Sequence, residues 1–128
     1  MPPRFLAVAL APLLFASSAR ADAGAEFFEK KIRPLFVAKC NSCHSSKAKK
    51  LRGKFSLHSR ADLMRGGEGG IVVVPGDPEK SRLIEAVRFA NVDLQMPPRE
   101  KLADADIADL VLQLGAANEI RDQPTQGH

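Results

Sequence analysis

The chain has 128 residues, 45% of them hydrophobic and 27% charged, with a formal net charge of +4. That is the composition of one soluble globular domain, and it excludes a disordered polyelectrolyte and a fibrous repeat. Seven Phe with no Trp or Tyr leave little aromatic surface on which single strands could stack, so nucleic acid is not an expected partner despite the basic balance.

Taken in chain order, Arg4 precedes an apolar run from Phe5 to Ala16, and Ser17-Ser18-Ala19-Arg20-Ala21 follows. This is the pattern of a secretory signal over residues 1–21, with Ala19 and Ala21 as the small-x-small cleavage site and a mature chain beginning at Asp22. A helix over the apolar run would reach about 18 Å, short of a hydrocarbon core of roughly 30 Å, so a retained N-terminal anchor is the weaker reading. Arg4 and Arg20 leave with the signal, which halves the formal charge. An exported, periplasmic protein with no membrane span in its mature part is expected.

Residues 26–39 place Phe28, Ile32, Leu35 and Phe36 at helical spacing, with Pro34 arguing against one unbroken helix. This stripe runs into Cys40-Asn41-Ser42-Cys43-His44, the C-x-x-C-H spacing of covalent c-type haem attachment. Two thiols separated by two residues of a helical turn reach neighbouring vinyl groups of one porphyrin. The following imidazole then meets the iron as proximal ligand. Three other readings compete. A thioredoxin-like redox pair would follow a strand rather than a helix, a zinc site would have only His58 to complete it, and a short-range Cys40–Cys43 disulfide would need no cofactor. Export favours haem over all three, since exported chains are where such haem is attached.

A basic loop follows, with Lys47, Lys49, Lys50, Arg52 and Lys54 ahead of Phe55. Ser59 and Asp62 make a capping box for a short helix ending at Gly66, and Gly66 to Gly70 forms an irregular loop. Ile71 to Val74 is β-prone but too short and solitary to found a sheet. Asp77 as N-cap and Pro78 at the first position open a further helix carrying Leu83, Ile84 and Val87. Met96-Pro97-Pro98 is a stiffened segment. The last helix spans about residues 104–114, with Ile107, Leu110, Val111 and Leu114 on one face, and residues 119–128 read as a frayed tail after a domain over 22–118.

An iron held by His44 has a sixth position to fill. Met96 is the leading donor, because a thioether favours ferrous iron and the two prolines would hold the sulfur in place. Met64, His58 and an open site are the rivals: Met64 reads as packing and His58 as polar surface. The expected fold is mainly α, short helices and long loops around one covalent haem c.

Several stretches together resemble the planctomycete-type cytochrome c domain, part of the monohaem cytochrome c superfamily. They are Ile32-Arg33-Pro34-Leu35, Cys40 to His44, Ser59-Arg60, Gly66-Gly67, Val74 to Pro78, Asp93 to Pro98 and Ile107 to Leu110. The likeness extends from Phe27 to about Ala117. It implies a class I-like cytochrome c fold, thioether bonds at Cys40 and Cys43, and iron ligation by His44 and Met96. The chain departs from that pattern at His58, where the family usually carries an acidic residue, and at Gln113, where it carries Trp.

A one-electron carrier follows from this reading, and no acid, base or nucleophile constellation suggests an enzyme. A diatomic-gas sensor with a labile sixth site is the alternative. Expected partners are redox proteins, with an acidic docking surface for the basic loop, and the protein is expected to be a monomer.

Overall fold

The structure is a computed structural model that describes Met1, Pro3 and residues 23–116. The signal expected over residues 1–21 and the tail expected over residues 119–128 lie outside the described residues, apart from Met1 and Pro3. Within them the protein is mainly helical and has no β-strand, as composition and spacing lead one to expect. No described helix is long and apolar enough to cross a membrane.

The first helical stretch is continuous through Pro34, and the way it accommodates that proline is a departure from expectation. Residues 23–27 are α-helical, Phe28–Ile32 form a π-turn, and α1 runs from Arg33–Lys39. A proline ring collides with the carbonyl four residues back in an α-helix. Here the Arg33 amide reaches back to the Phe28 carbonyl, five residues away, so the helix is already widened where Pro34 enters as an early residue of α1. Glu29 grips both arms of Arg33 at 2.7 and 2.8 Å, stapling the widened turn from outside. Phe28 and Phe36 meet edge to face at 6.3 Å on its inner side.

After α1 come α2 (Asn41–His44), a 3-10 turn (Arg52–Lys54), α3 (Arg60–Arg65), a second 3-10 turn (Pro78–Lys80), α4 (Arg82–Val87) and α5 (Asp104–Gly115). The Ser59 hydroxyl accepts the Asp62 amide at 3.0 Å and starts α3, while the Asp62 carboxylate pairs with Arg65 at 2.8 Å. Gly66, at φ 75, ends α3 in a conformation that a side chain would resist. Asp77 accepts the Lys80 amide at 3.2 Å, but the helix expected to continue from Pro78 is divided at Ser81. Ser81 is buried, and its hydroxyl accepts the Val74 amide at 2.9 Å and donates to the Asp77 carbonyl at 2.9 Å. It thereby holds the extended Ile71 to Val74 run against the start of α4, with Leu83 N–H donating to the Val72 carbonyl at 3.1 Å.

The core is one cluster in which the π-turn and α1 supply Phe28, Ile32, Leu35 and Phe36 and α5 supplies Ile107, Leu110 and Leu114. Leu63, Val73, Ile84 and Val87 fill it from the middle of the chain. Asp104 and Asp106 sit at the N-terminal end of α5, where the helix dipole favours them. Gln113 is buried at 3% exposure on the inner face of α5, beside a shallow apolar cleft walled by Phe28, Ile32, Phe36 and Leu63.

Candidate haem-attachment site

Cys40 stands at the break between α1 and α2. Its amide closes α1 on the Phe36 carbonyl at 2.9 Å, and its own φ and ψ of −124° and −38° turn the chain. Its carbonyl then accepts both the Cys43 amide at 3.2 Å and the His44 amide at 3.1 Å. That shared acceptor winds Cys40, Cys43 and His44 into a single turn, the compact arrangement that the C-x-x-C-H spacing demands. Ser45, buried beneath, donates its hydroxyl to the Asn41 carbonyl at 2.6 Å and ties the end of the turn back to its start.

The two cysteines are free thiols. Cys40 packs against the hydrophobic core, and burial pushes its thiol up to about 11, with the neighbouring Cys43 adding to the effect. Asn41 Oδ1, between them in sequence, is buried and has no hydrogen-bond partner.

His44 is oriented by a contact absent from the sequence reading. Its Nδ1 lies 3.1 Å from the Phe55 carbonyl oxygen. A carbonyl only accepts, so Nδ1–H is the donor, and in the neutral imidazole the lone pair is left on Nε2. The Phe55 ring lies 5.3 Å from the imidazole at 58°, and the Leu57 amide donates to the His44 carbonyl at 2.7 Å. The signal for this partner in the sequence is faint. Phe55 is an apolar residue at the end of a basic loop, and it is buried at 8% exposure while Lys47, Lys49, Lys50, Arg52 and Lys54 are exposed.

The other candidates lie on separate segments. Met96 is 36% exposed, and its amide donates to the Ala86 carbonyl at 3.1 Å. Met64 is half-buried on α3 and packs against the core, as a structural methionine would. His58 is half-buried, with its amide donating to the Ser56 hydroxyl at 3.1 Å. Among the described residues, no three or more His, Cys, Asp or Glu side chains converge on a metal site.

The donor set fits a covalently held haem. Two thiols and an imidazole share one turn, the imidazole has Nδ1 committed to a carbonyl and its lone pair left on Nε2, and one thiol already faces apolar surroundings. A small helical domain built around such a turn has the features of a c-type cytochrome. Residues 40–100 match the family model described as Planctomycete cytochrome C, which supports a planctomycete-type cytochrome c domain over this stretch and, through the family, implies a covalently bound haem. Searches of curated proteins and of solved structures give no match.

Proposed function

We propose that the protein is an exported one-electron carrier with a class I-like cytochrome c fold around a single haem c. Cys40 and Cys43 would hold the macrocycle by thioether bonds, and His44 Nε2 and Met96 Sδ would bind the iron. The observation that carries the reading is the turn itself: both thiols and an imidazole whose Nδ1–H is committed to the Phe55 carbonyl. When bound, the haem supplies exchange of one electron between ferrous and ferric iron.

The chain's own residues do the rest. The Phe55 carbonyl keeps the imidazole in one tautomer and fixes the orientation of its ring. The Phe55 ring packs against the imidazole at a tilt of 58° and places apolar surface beside it. The exposed cluster Lys47, Lys49, Lys50, Arg52 and Lys54 follows the attachment turn directly and forms the docking face for an acidic redox partner. No acid–base or nucleophile constellation beyond these ligands argues for an enzyme.

The test is chemical. Denatured protein made with the haem-attachment machinery should keep its pigment through acid-acetone extraction, and replacing both Cys40 and Cys43 by Ala should release it. A low-spin reduced spectrum indifferent to carbon monoxide supports the carrier. A spectrum that carbon monoxide changes at once points to a gas-binding module with a labile sixth site, and loss of pigment from the unaltered chain overturns both.

A further inference from the structure

The carbonyl that receives the His44 imidazole belongs to the backbone, so its position depends on whatever holds the 53–55 segment. The glycine loop 66–70 provides that hold. The Glu68 amide donates to the Gly53 carbonyl at 2.8 Å. A Cβ at Gly67 would stand 2.5 Å from the Gly53 oxygen, 3.0 Å from Phe55 Cβ and 3.4 Å from the Phe55 nitrogen. Gly67 is not among the positive-φ glycines, so what requires glycine there is the close approach of the two segments rather than the backbone conformation.

The loop itself is braced. Gly67 and Gly70 exchange amide-to-carbonyl bonds at 3.1 and 3.0 Å, and the Gly69 carbonyl accepts Arg82 Nη1 from α4 at 2.5 Å. A physical line therefore runs from α4 through Arg82 and the loop to Gly53, Phe55 and the His44 ring.

We propose that the 66–70 loop is a clamp that sets the strength of the bond between His44 Nδ1–H and the Phe55 carbonyl, with Gly67 as its positioning residue, and so tunes the reduction potential. The inference rests on His44 being the iron ligand. A firm bond gives the imidazole more anionic character and a stronger hold on ferric iron, whereas a loosened one favours the ferrous state. A methyl group at Gly67 forces the loop and the 53–55 segment apart at the Gly53 carbonyl, breaking the tether to Glu68 and freeing the Phe55 carbonyl.

The test uses the haem-loaded protein and the variants Gly67→Ala and Gly76→Ala. Gly76 has φ 78 in a different loop, so its replacement costs stability through backbone strain and serves as the control. Midpoint potentials are read by spectroelectrochemical titration, and solvent exchange of the His44 Nδ1 proton by NMR of the ferrous state. Gly67→Ala should shift the potential positive and speed exchange by roughly three- to tenfold, the factor an ordinary hydrogen bond carries. Gly76→Ala should move neither.

Equal changes in both variants would assign the effect to general loosening and overturn the clamp, as would no change in Gly67→Ala. If Gly67→Ala does not accumulate, Arg82→Lys keeps the charge but shortens the reach to Gly69. It should shift both readouts in the same direction by less, and no shift there overturns the proposal. Ferrous spectra of the unaltered protein report separately on the ligand assignment. If the His44 ring protons lack the large upfield shift of a ligand above a porphyrin, that assignment fails and takes the clamp with it. Shifted protons with an unmoved potential in Gly67→Ala defeat the clamp alone.

Discussion

Met96 and His44, the two proposed iron ligands, differ in how firmly the fold holds them. His44 is fixed in advance, with one ring nitrogen bonded to Phe55 and its backbone carbonyl bonded to Leu57. Met96 is anchored only through its amide to Ala86, and its side chain is partly in solvent. If its sulfur is the sixth ligand, Met96→Ala should lower the reduction potential and open the iron to rapid carbon monoxide binding, with the pigment still attached. Met64→Ala and His58→Ala should leave the ligation spectrum unchanged, although Met64→Ala gives up core packing. An unaltered spectrum and potential in Met96→Ala would remove it as the ligand. A changed spectrum in either of the others would name the true one.

The proposed side-chain donors stand out in the sequence because haem-attachment chemistry dictates both residue type and spacing. Cys40, Cys43 and His44 can be read from five letters, and the structure places them in one turn. The Phe55 carbonyl could not be read this way. Every residue has a carbonyl, and only the path of the chain through the 3-10 turn decides which one meets the imidazole.

At the scale of elements, the two short helices α3 and α4 are started by serines in different environments. Ser59 caps α3 at a partly exposed site, through one bond to Asp62. Ser81, only 2% exposed, joins three backbone groups across two segments. Ser59→Ala should therefore cost about 1 kcal/mol, an ordinary cap. Ser81→Ala leaves the Val74 amide without its acceptor, while the Asp77 carbonyl keeps the Lys80 amide, and should cost more, about 1–3 kcal/mol. Denaturant unfolding of the two variants beside the parent would show the order, and equal losses would contradict it.

The cap at Ser59 was predictable because Asp62 follows at the right interval. The role of Ser81 was not, since its partners are backbone atoms four and seven residues back and nothing in their side chains announces them. The helix expected over residues 104–114 was the most legible element. Its apolar positions recur over three turns, and the observed span of Asp104–Gly115 differs by one residue.

For the described residues as a whole, the core is apolar and the lysines and arginines of the basic loop are exposed. The core cluster closes around the first helical stretch and α5, while the basic loop lies outward from the attachment turn. Replacing Lys49 and Lys50 by Glu should slow electron transfer to an acidic partner at low salt. The deficit should shrink as the Debye length falls from about 30 Å at 0.01 M to about 10 Å at 0.1 M. Rates unaffected at both ionic strengths would leave the loop without a docking role.

The widened turn at Phe28–Ile32 bears on how such a molecule tolerates insertion and deletion. An α-helix advances about 100° per residue, so one residue more or less upstream of Pro34 swings everything beyond it through that angle about the axis. The π-turn thus fixes an azimuth as well as easing a proline. With it, the face bearing Phe28 and Ile32 stays aligned with the face bearing Leu35 and Phe36, and the thiol of Cys40 is delivered to the core side of the chain. In a chain shortened by one exposed residue there, such as Lys31, the helix would still form, but its attachment turn would face a different compass bearing.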